Sequence, residues 1–201
     1  MSNNFNRFTV ILFVFCFFSM TMSIAAVSTN PEVMIRTDLG DITLELYVDK
    51  APITAGNFLK YVRENRLQGA AFYRVVREDN QPNDKVKISV IQGGLMDDIP
   101  GQSLPAIVHE TTAQTGILHK DGVISMARLE PGTATSEFFI CVGDQPELDF
   151  GGKRNPDGQG FAAFGQVIKG MEVVRRILQQ PDKKQYLDPV IKITQFKLLS
   201  E

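Results

Sequence analysis

The chain has 201 residues, with 21 Lys and Arg against 23 Asp and Glu and a formal net charge of −2 at pH 7. About 175 of these residues follow an apolar N-terminal segment, which is enough for one domain with a substantial hydrophobic core. The charges are mixed and slightly acidic, and Lys and Arg form no cluster, which argues against a nucleic-acid-binding surface.

The N-terminus has the layout of a secretory signal peptide. Arg7 precedes an apolar run from Phe8 to Phe18, and a segment of Ser, Thr, Met and Ile follows and ends in Ala25 and Ala26. This run has the ~7–15 residues of a signal peptide and is shorter than the ~18 of a spanning helix. We therefore predict a cleaved signal peptide over residues 1–26, a flexible lead-in over 27–31 and a periplasmic or secreted domain over 32–201. An uncleaved leader that anchors the protein to a membrane is the alternative.

Hydrophobic patterning predicts many strands and two helices in the remaining chain. Apolar residues alternate on either side of a turn at 38–41, which indicates a β-hairpin. Pro52 begins an amphipathic helix, and a second helix covers about 170–180 and ends before Pro181. The other strand-like runs lie at 71–76, 88–92, 123–127, 138–142, 161–167 and 190–198. This arrangement favours an antiparallel barrel with its ends covered.

Several short motifs occur in a fixed order along the same region. They are FYRVV at 72–76, VIQGG at 90–94, LHKDG at 118–122, SMAR at 125–128, SEFFIC at 136–141, LD at 148–149 and FGQV at 164–167. Together the motifs resemble those of the cyclophilins, a family of peptidyl-prolyl cis-trans isomerases, from about Pro31 to the C-terminus. Agreement of several ordered motifs is far more specific than any single motif. The resemblance implies a mainly β fold, a closed antiparallel eight-stranded β-barrel capped by two α-helices.

The resemblance also implies the residues of the active site. Arg74 and Gln92 occupy the catalytic positions. The substrate-binding positions are Val90, Ala127, Glu137, Phe139, Leu148 and Phe161. Phe139 would form the floor of the proline pocket. Because side chains alternate along a strand, Phe138 and Phe139 lie on opposite faces and only one of them can line a pocket.

The chemistry of isomerisation explains why such residues would suffice. Rotation about an X-Pro bond makes and breaks no covalent bond, so a catalyst needs no nucleophile, metal or cofactor, and we expect none. The site must only fit the twisted amide better than the planar isomers. The twisted prolyl nitrogen becomes a hydrogen-bond acceptor, and a guanidinium such as that of Arg74 can donate to it or to the adjacent carbonyl oxygen.

Several features depart from the family pattern. Phe161 stands where the family has His or Tyr, and Ser89 where an aromatic residue is expected. Glu137 replaces the usual Gln, Glu147 replaces an aromatic residue, and a longer charged segment spans 77–89. A carboxylate at Glu137 could pair with Arg74 and hold its fork, or it could neutralise the charge that the transition state needs. The sequence leaves both alternatives open.

The predicted function is therefore isomerisation of X-Pro bonds in unfolded or folding polypeptides, to assist protein folding. We expect a monomer that binds no nucleic acid and, once the leader is cleaved, no membrane. A catalytically weak cyclophilin-fold binding module or chaperone is one alternative, and an unrelated all-β binding protein is another. With only His109 and His119 available, a His-rich metal site cannot be assembled, and both are interpreted as loop histidines satisfied by hydrogen bonds.

Overall fold

The computed structural model describes residues 30–97 and 99–201. The predicted signal peptide at 1–26 lies outside this part of the chain. Within the described ranges, no helix is both long enough and apolar enough to cross a membrane.

In the described residues, eight antiparallel strands form a closed barrel, as the sequence predicted. Their order around the barrel is β1-β2-β7-β5-β6-β4-β3-β9, and β9 pairs with β1 to close the ring. The strands are β1 (Glu32–Thr37), β2 (Gly40–Leu46), β3 (Ala71–Val76), β4 (Val90–Gly94), β5 (Val123–Met126), β6 (Phe138–Cys141), β7 (Ala162–Lys169) and β9 (Tyr186–Ser200). A two-residue strand, β8 (Asp182–Lys183), pairs only with β9. Closure leaves the eight main strands without a free edge.

Two helices complete the core of the barrel. Helix α1 (Pro52–Arg63) packs against β7 and β9, and helix α3 (Met171–Leu178) packs against β2, β3 and β4. Phe58 of α1 meets the rings of Phe138 and Phe164 from the barrel wall, with ring centroids 5.5 and 5.3 Å apart. The helices therefore bury their apolar faces in the same hydrophobic core as the strands.

Two strands begin two or more residues away from the predicted start, and one short helix was not predicted. Strand β4 begins at Val90 because the backbone N–H and C=O of Ile88 are bonded to the side chain of Gln81 and are not free to pair. Strand β9 begins at Tyr186 because a tight hairpin joins it to β8. A one-turn helix, α2 (Thr112–Thr115), was not predicted, since four residues are too few to show helical periodicity.

The start of α1 is capped from a distant loop. Its N-cap residue, Ala51, has no side chain that can accept a hydrogen bond. Instead, the carboxylate of Glu110 accepts hydrogen bonds from the backbone N–H of Ile53 (3.2 Å) and from the N–H and hydroxyl of Thr54 (2.7 and 2.6 Å). A negative charge at this position also interacts favourably with the helix dipole. Glu110 thus ties α1 to the loop that precedes α2.

We expect Glu110→Ala to lower the free energy of unfolding by about 1–2 kcal/mol, because the first turn of α1 loses its only side-chain acceptor among the described residues. Urea denaturation followed by circular dichroism measures the change. Glu130→Ala, which removes an exposed carboxylate, is the control and should change stability by less than about 0.5 kcal/mol. Equal stability of the two variants would contradict the capping role.

Candidate active site

The predicted site residues meet on the outer face of the barrel because of strand register. Arg74 of β3 lies opposite Gln92 of β4, Gln92 lies opposite Phe139 of β6, and Phe139 lies opposite Ser125 of β5. Directly opposed residues place their side chains on the same face of a sheet. Since Phe138 points into the barrel core, this row points outward, as alternation predicted.

A pocket of about 280 Å³ lies over Arg74, Gln92 and Phe139 of this row. It contains seven of the eight predicted site residues: Arg74, Val90, Gln92, Ala127, Phe139, Leu148 and Phe161. A second, smaller hydrophobic cluster outside the barrel forms its base, with Phe139 only 5% exposed and Leu148 fully buried. The pocket therefore combines an apolar floor with polar side chains at its rim, namely Arg74, Gln92, Arg128, Arg154 and Asn155.

The ring of Phe139 is held by two aromatic neighbours. The imidazole of His119 stacks on it, with centroids 5.9 Å apart and planes 14° from parallel. The ring of Phe161 meets it edge to face at 5.2 Å. Such contacts fix the orientation of a ring more strongly than area burial alone. The pocket floor is therefore preorganised.

His119 itself is fixed by a buried polar pair. Its Nδ1–H donates to Asp149 Oδ1 (2.7 Å), and its Nε2 shares a hydrogen bond with Ser125 Oγ (2.9 Å). The order Asp-His-Ser is that of a hydrolytic triad. However, Ser125 is fully buried and His119 is 1% exposed, so no substrate reaches the hydroxyl. The arrangement supports Phe139 from below, and His119 is a histidine satisfied by hydrogen bonds, as predicted.

The opposite wall is held by Arg128. Its guanidinium lies 5.2 Å from the ring centre of Phe161, in the geometry of a cation–π contact. The same group donates to both carboxylate oxygens of Asp157 (2.9 and 3.0 Å) and to the carbonyl of Gly160. The bonds from Arg128 lower the pKa of Asp157. Arg128 thus ties the loop before β7 to the pocket wall.

Arg74 is held by two neutral amides. Its Nη1 donates to Gln92 Oε1 (2.9 Å), while its Nε and Nη2 donate to Gln185 Oε1 (3.0 and 2.6 Å). Burial lowers the pKa of Arg74, but an arginine side chain remains charged at neutral pH. The guanidinium is therefore oriented and charged at the edge of an apolar pocket.

Glu137 does not contact Arg74. Its carboxylate accepts hydrogen bonds from the backbone N–H of Met96 (2.9 Å) and from the hydroxyls of Ser136 (3.0 Å) and Tyr73. Gly94, at φ +147°, makes room for it, because a Cβ there would lie 2.5 Å from Glu137 Oε1. Neither alternative derived from the sequence is observed, because Glu137 forms no hydrogen bond and no ion pair with the Arg74 guanidinium among the described residues.

Tyr73 links Glu137 to the pocket. The Tyr73 hydroxyl donates to Glu137 and accepts from Gln92 Nε2 (2.7 Å), and Gln92 in turn accepts from Arg74. Burial, together with the nearby Glu137 carboxylate, raises the pKa of Tyr73 well above its usual value. The hydroxyl thus keeps its proton. The chain of hydrogen bonds fixes the orientation of the Gln92 amide, with its oxygen towards Arg74 and its nitrogen towards Tyr73.

Glu137 lies in a second hollow that adjoins the first. This hollow has a volume of about 370 Å³ and shares Gln92, Ala127, Arg128 and Leu129 with the first pocket. Glu137 thus lines the hollow beside the pocket and not the pocket itself, and its substrate-binding role stays a prediction. Glu147 lines neither hollow, and its carboxylate accepts the backbone N–H of Lys153 (2.8 Å).

Sequence reasoning did not find four residues that shape the site: Tyr73, Arg128, Asp149 and Gln185. Tyr73 and Arg128 lie inside motifs that the sequence showed, next to residues that were selected. Asp149 follows Leu148 in another such motif. Gln185 lies in a hairpin of the C-terminal region, far along the chain from Arg74, and no sequence signal marked it.

Comparison with known proteins agrees with this architecture. The family model for cyclophilin type peptidyl-prolyl cis-trans isomerase/CLD matches residues 32–198. A peptidyl-prolyl cis-trans isomerase of Acinetobacter baylyi is 39% identical over 153 residues, which cover 76% of this chain and 74% of that protein. Peptidyl-prolyl cis-trans isomerase A of Dickeya dadantii is 37% identical, with 77% of this chain and 74% of that protein covered.

Solved structures share the fold. A crystal structure of a cyclophilin type peptidyl-prolyl cis-trans isomerase of Cryptosporidium parvum superposes with a TM-score of 0.64 at 22% identity, covering 86% of this chain and 99% of that one. A second structure of that protein, in the presence of the dipeptide Ala-Pro, gives a TM-score of 0.63. A family match along almost all of the described chain, and relatives of the same activity, identify this protein as a member of the cyclophilin family and a peptidyl-prolyl cis-trans isomerase.

Proposed function

We propose that the 280 Å³ pocket is the isomerase site, with the proline ring of the substrate against Phe139 and the guanidinium of Arg74 beside the rotating amide. The observation that carries this proposal is the position of Arg74. It is a fixed positive charge at the edge of an apolar hollow, in the same row of strand positions as the pocket floor. Gln92 acts as the second polar residue, and Val90, Ala127, Leu148 and Phe161 enclose the proline.

The energetics agree with a site of this kind. Twisting the amide opposes a resonance barrier of ~18–20 kcal/mol. A rate gain of about 10⁵ requires about 7 kcal/mol of differential stabilisation of the twisted state. By analogy, a single oxyanion-hole donor contributes ~2.7–4 kcal/mol to a transition state. The remainder comes from holding the proline against Phe139 while the preceding carbonyl turns.

The substrates we propose are proline-containing segments of unfolded or folding polypeptides. Support comes from the apolar floor, which suits a proline ring, and from the related Cryptosporidium protein that was crystallised in the presence of Ala-Pro. The two adjoining hollows form a continuous surface along which an extended peptide can lie. We further propose that the protein acts as a monomer, without nucleic acid as a partner.

Arg74→Ala should lower kcat/KM for a short X-Pro peptide by about 100-fold or more, because the twisted amide loses its charged donor. Arg74→Lys should be nearly as poor, since an ammonium group lacks the planar fork. Two-dimensional exchange NMR of the peptide measures the rate. Arg36→Ala, which removes an exposed arginine of β1, is the control and should keep full activity. Unchanged turnover in folded Arg74→Ala would remove Arg74 from the mechanism.

We also propose that the protein is exported and acts in the periplasm or outside the cell. Support comes from the layout of residues 1–26, in which Arg7 precedes a short apolar run and small residues end the segment. Cleavage near Ala26 would release the domain from the membrane.

Protein from the cell envelope should begin at Ala26 or Val27 and stay in solution without detergent, because signal peptidase removes the apolar leader. Mass spectrometry of the intact protein and of its N-terminal peptide measures this. Replacing Ala25 and Ala26 with Leu is the matched control and should retain the leader. Finding Met1 on membrane-bound wild-type protein would instead support the anchored alternative.

A further inference from the structure

Gln185 holds the side of the Arg74 guanidinium that faces away from Gln92. A single oxygen, Gln185 Oε1, accepts from both Nε (3.0 Å) and Nη2 (2.6 Å) of Arg74. Gln185 lies 111 residues further along the chain, in the hairpin between β8 and β9. The contact therefore joins the C-terminal region to the first strand of the active site.

Gln185 is itself fixed by three further hydrogen bonds. Its Nε2 donates to the carbonyl of Asn80 (3.1 Å), which decides that its oxygen faces Arg74. Its backbone N–H donates to Asp182 Oδ2 (2.7 Å), and its carbonyl accepts from the N–H of Val75 (2.8 Å), the neighbour of Arg74. An amide held at both ends and along its backbone cannot turn away from the guanidinium.

The backbone at this hairpin has an uncommon conformation. Lys184 and Gln185 have φ angles of +54° and +75°, and Lys183 pairs with Tyr186 on either side of them. Both central residues of such a two-residue turn have positive φ, and Asn-Gly is the sequence that favours it. A Lys-Gln sequence keeps this conformation without glycine. Backbone strain that persists beside an active site is a reason to look for a function of the residue.

The bonds of Arg74 leave donors for a substrate. A guanidinium has five N–H groups. Gln185 takes one on Nε and one on Nη2, and Gln92 takes one on Nη1. One N–H remains on each terminal nitrogen. Within residues 30–97 and 99–201, no carboxylate forms an ion pair with Arg74, and two neutral amides orient its guanidinium.

We propose that Gln185 is a positioning residue of the isomerase site: it sets the angle of the Arg74 fork, so that the two remaining N–H groups point at the amide of the substrate. This role rests on the proposed function of Arg74. Gln185 acts through Arg74 and does not contact the substrate. Its neutral side chain orients the guanidinium without reducing its charge.

The test compares Gln185→Ala in two backgrounds by exchange NMR on an X-Pro peptide. In the wild-type background, we expect kcat/KM to fall about 10- to 100-fold. The fall should come from kcat, and KM should stay nearly constant because the apolar floor of the pocket is intact. In the Arg74→Ala background, the same substitution should change kcat/KM by less than about twofold, since its target is gone. Lys184→Ala, in the same strained turn, is the matched control and should leave activity unchanged.

A second readout does not depend on activity. The ¹H–¹⁵N resonance of the Arg74 Nε–H should move and exchange faster with solvent in Gln185→Ala, and it should be unchanged in Lys184→Ala. If Gln185→Ala fails to fold, Gln185→Met keeps the length and packing of the side chain without the carbonyl, and it should show the same losses.

Four outcomes decide between the positioning role of Gln185 and the proposed function of Arg74. Wild-type kcat/KM in Gln185→Ala, while Arg74→Ala is inactive, would overturn the positioning role alone. An equal loss in both backgrounds would overturn it as well, because the effect would then be a structural one that bypasses Arg74. Full activity in Arg74→Ala would overturn the proposed function itself. A loss of kcat/KM in Gln185→Ala that appears only when Arg74 is present, together with an altered Arg74 Nε–H resonance, supports the proposal.

Discussion

The site depends on one constraint: a guanidinium must be held in place at the edge of an apolar pocket without losing its charge. Burying a charge is costly unless hydrogen bonds compensate for the lost water. A carboxylate would supply such bonds, but it would also cancel much of the field that a twisted amide experiences. Gln92 and Gln185 supply the bonds without a negative charge. Glu137, the acidic residue predicted for the site, forms no hydrogen bond with Arg74 among the described residues and accepts hydrogen bonds from three other donors.

The fold meets this constraint by bringing distant segments to one row of strand positions. Register places Arg74 beside Gln92 and Phe139, and the C-terminal hairpin adds Gln185. The hairpin is held in turn by Arg77, which donates to Asp182 and to the carbonyl of Leu178 at the end of α3 (2.8 Å). The long charged segment at 77–89 thus has a structural part in the site. It also presents Asn80, whose carbonyl fixes the amide of Gln185.

The apolar half of the pocket is fixed separately. Phe139 lies between the stacked ring of His119 and the edge contact with Phe161, and Arg128 holds Phe161 in place. Because these supports share no hydrogen bond with Arg74, the floor and the charge can be altered independently. This separation is why substitutions at Arg74 and Gln185 should affect kcat more than KM.

Local sequence patterns predicted much of the fold. Alternation identified the hairpin of β1 and β2 and placed Phe138 and Phe139 on opposite faces, because a strand has a fixed period of two. Motifs gave seven residues that meet in the pocket. The alternative of an unrelated all-β binding protein is wrong, since the family match covers residues 32–198.

Contacts between distant residues could not be predicted in the same way. Gln185, the second hydrogen-bond partner of Arg74, lies in a hairpin whose sequence, Lys-Gln, is not one that favours such a turn. The orientation of Glu137 depends on the space at Gly94 and on the hydroxyl of Tyr73. The spacing of residues along the sequence predicts neither contact. The end of the 77–89 segment depends on Gln81, a buried amide that binds the backbone of Ile88.

Gln185→Glu gives the most direct test of the central claim, that the charge of Arg74 must be oriented and also uncompensated. Glutamate has nearly the same shape and keeps an acceptor for Nε and Nη2, but it adds a negative charge beside them. In this variant the carbonyl of Asn80 loses the N–H donor that orients the side chain at position 185. The Arg74 Nε–H resonance therefore serves to check that the guanidinium is still bound. With the fork bound, the account predicts that kcat/KM for an X-Pro peptide falls about tenfold or more. Activity equal to or above that of the wild type, with the fork still bound, would contradict it.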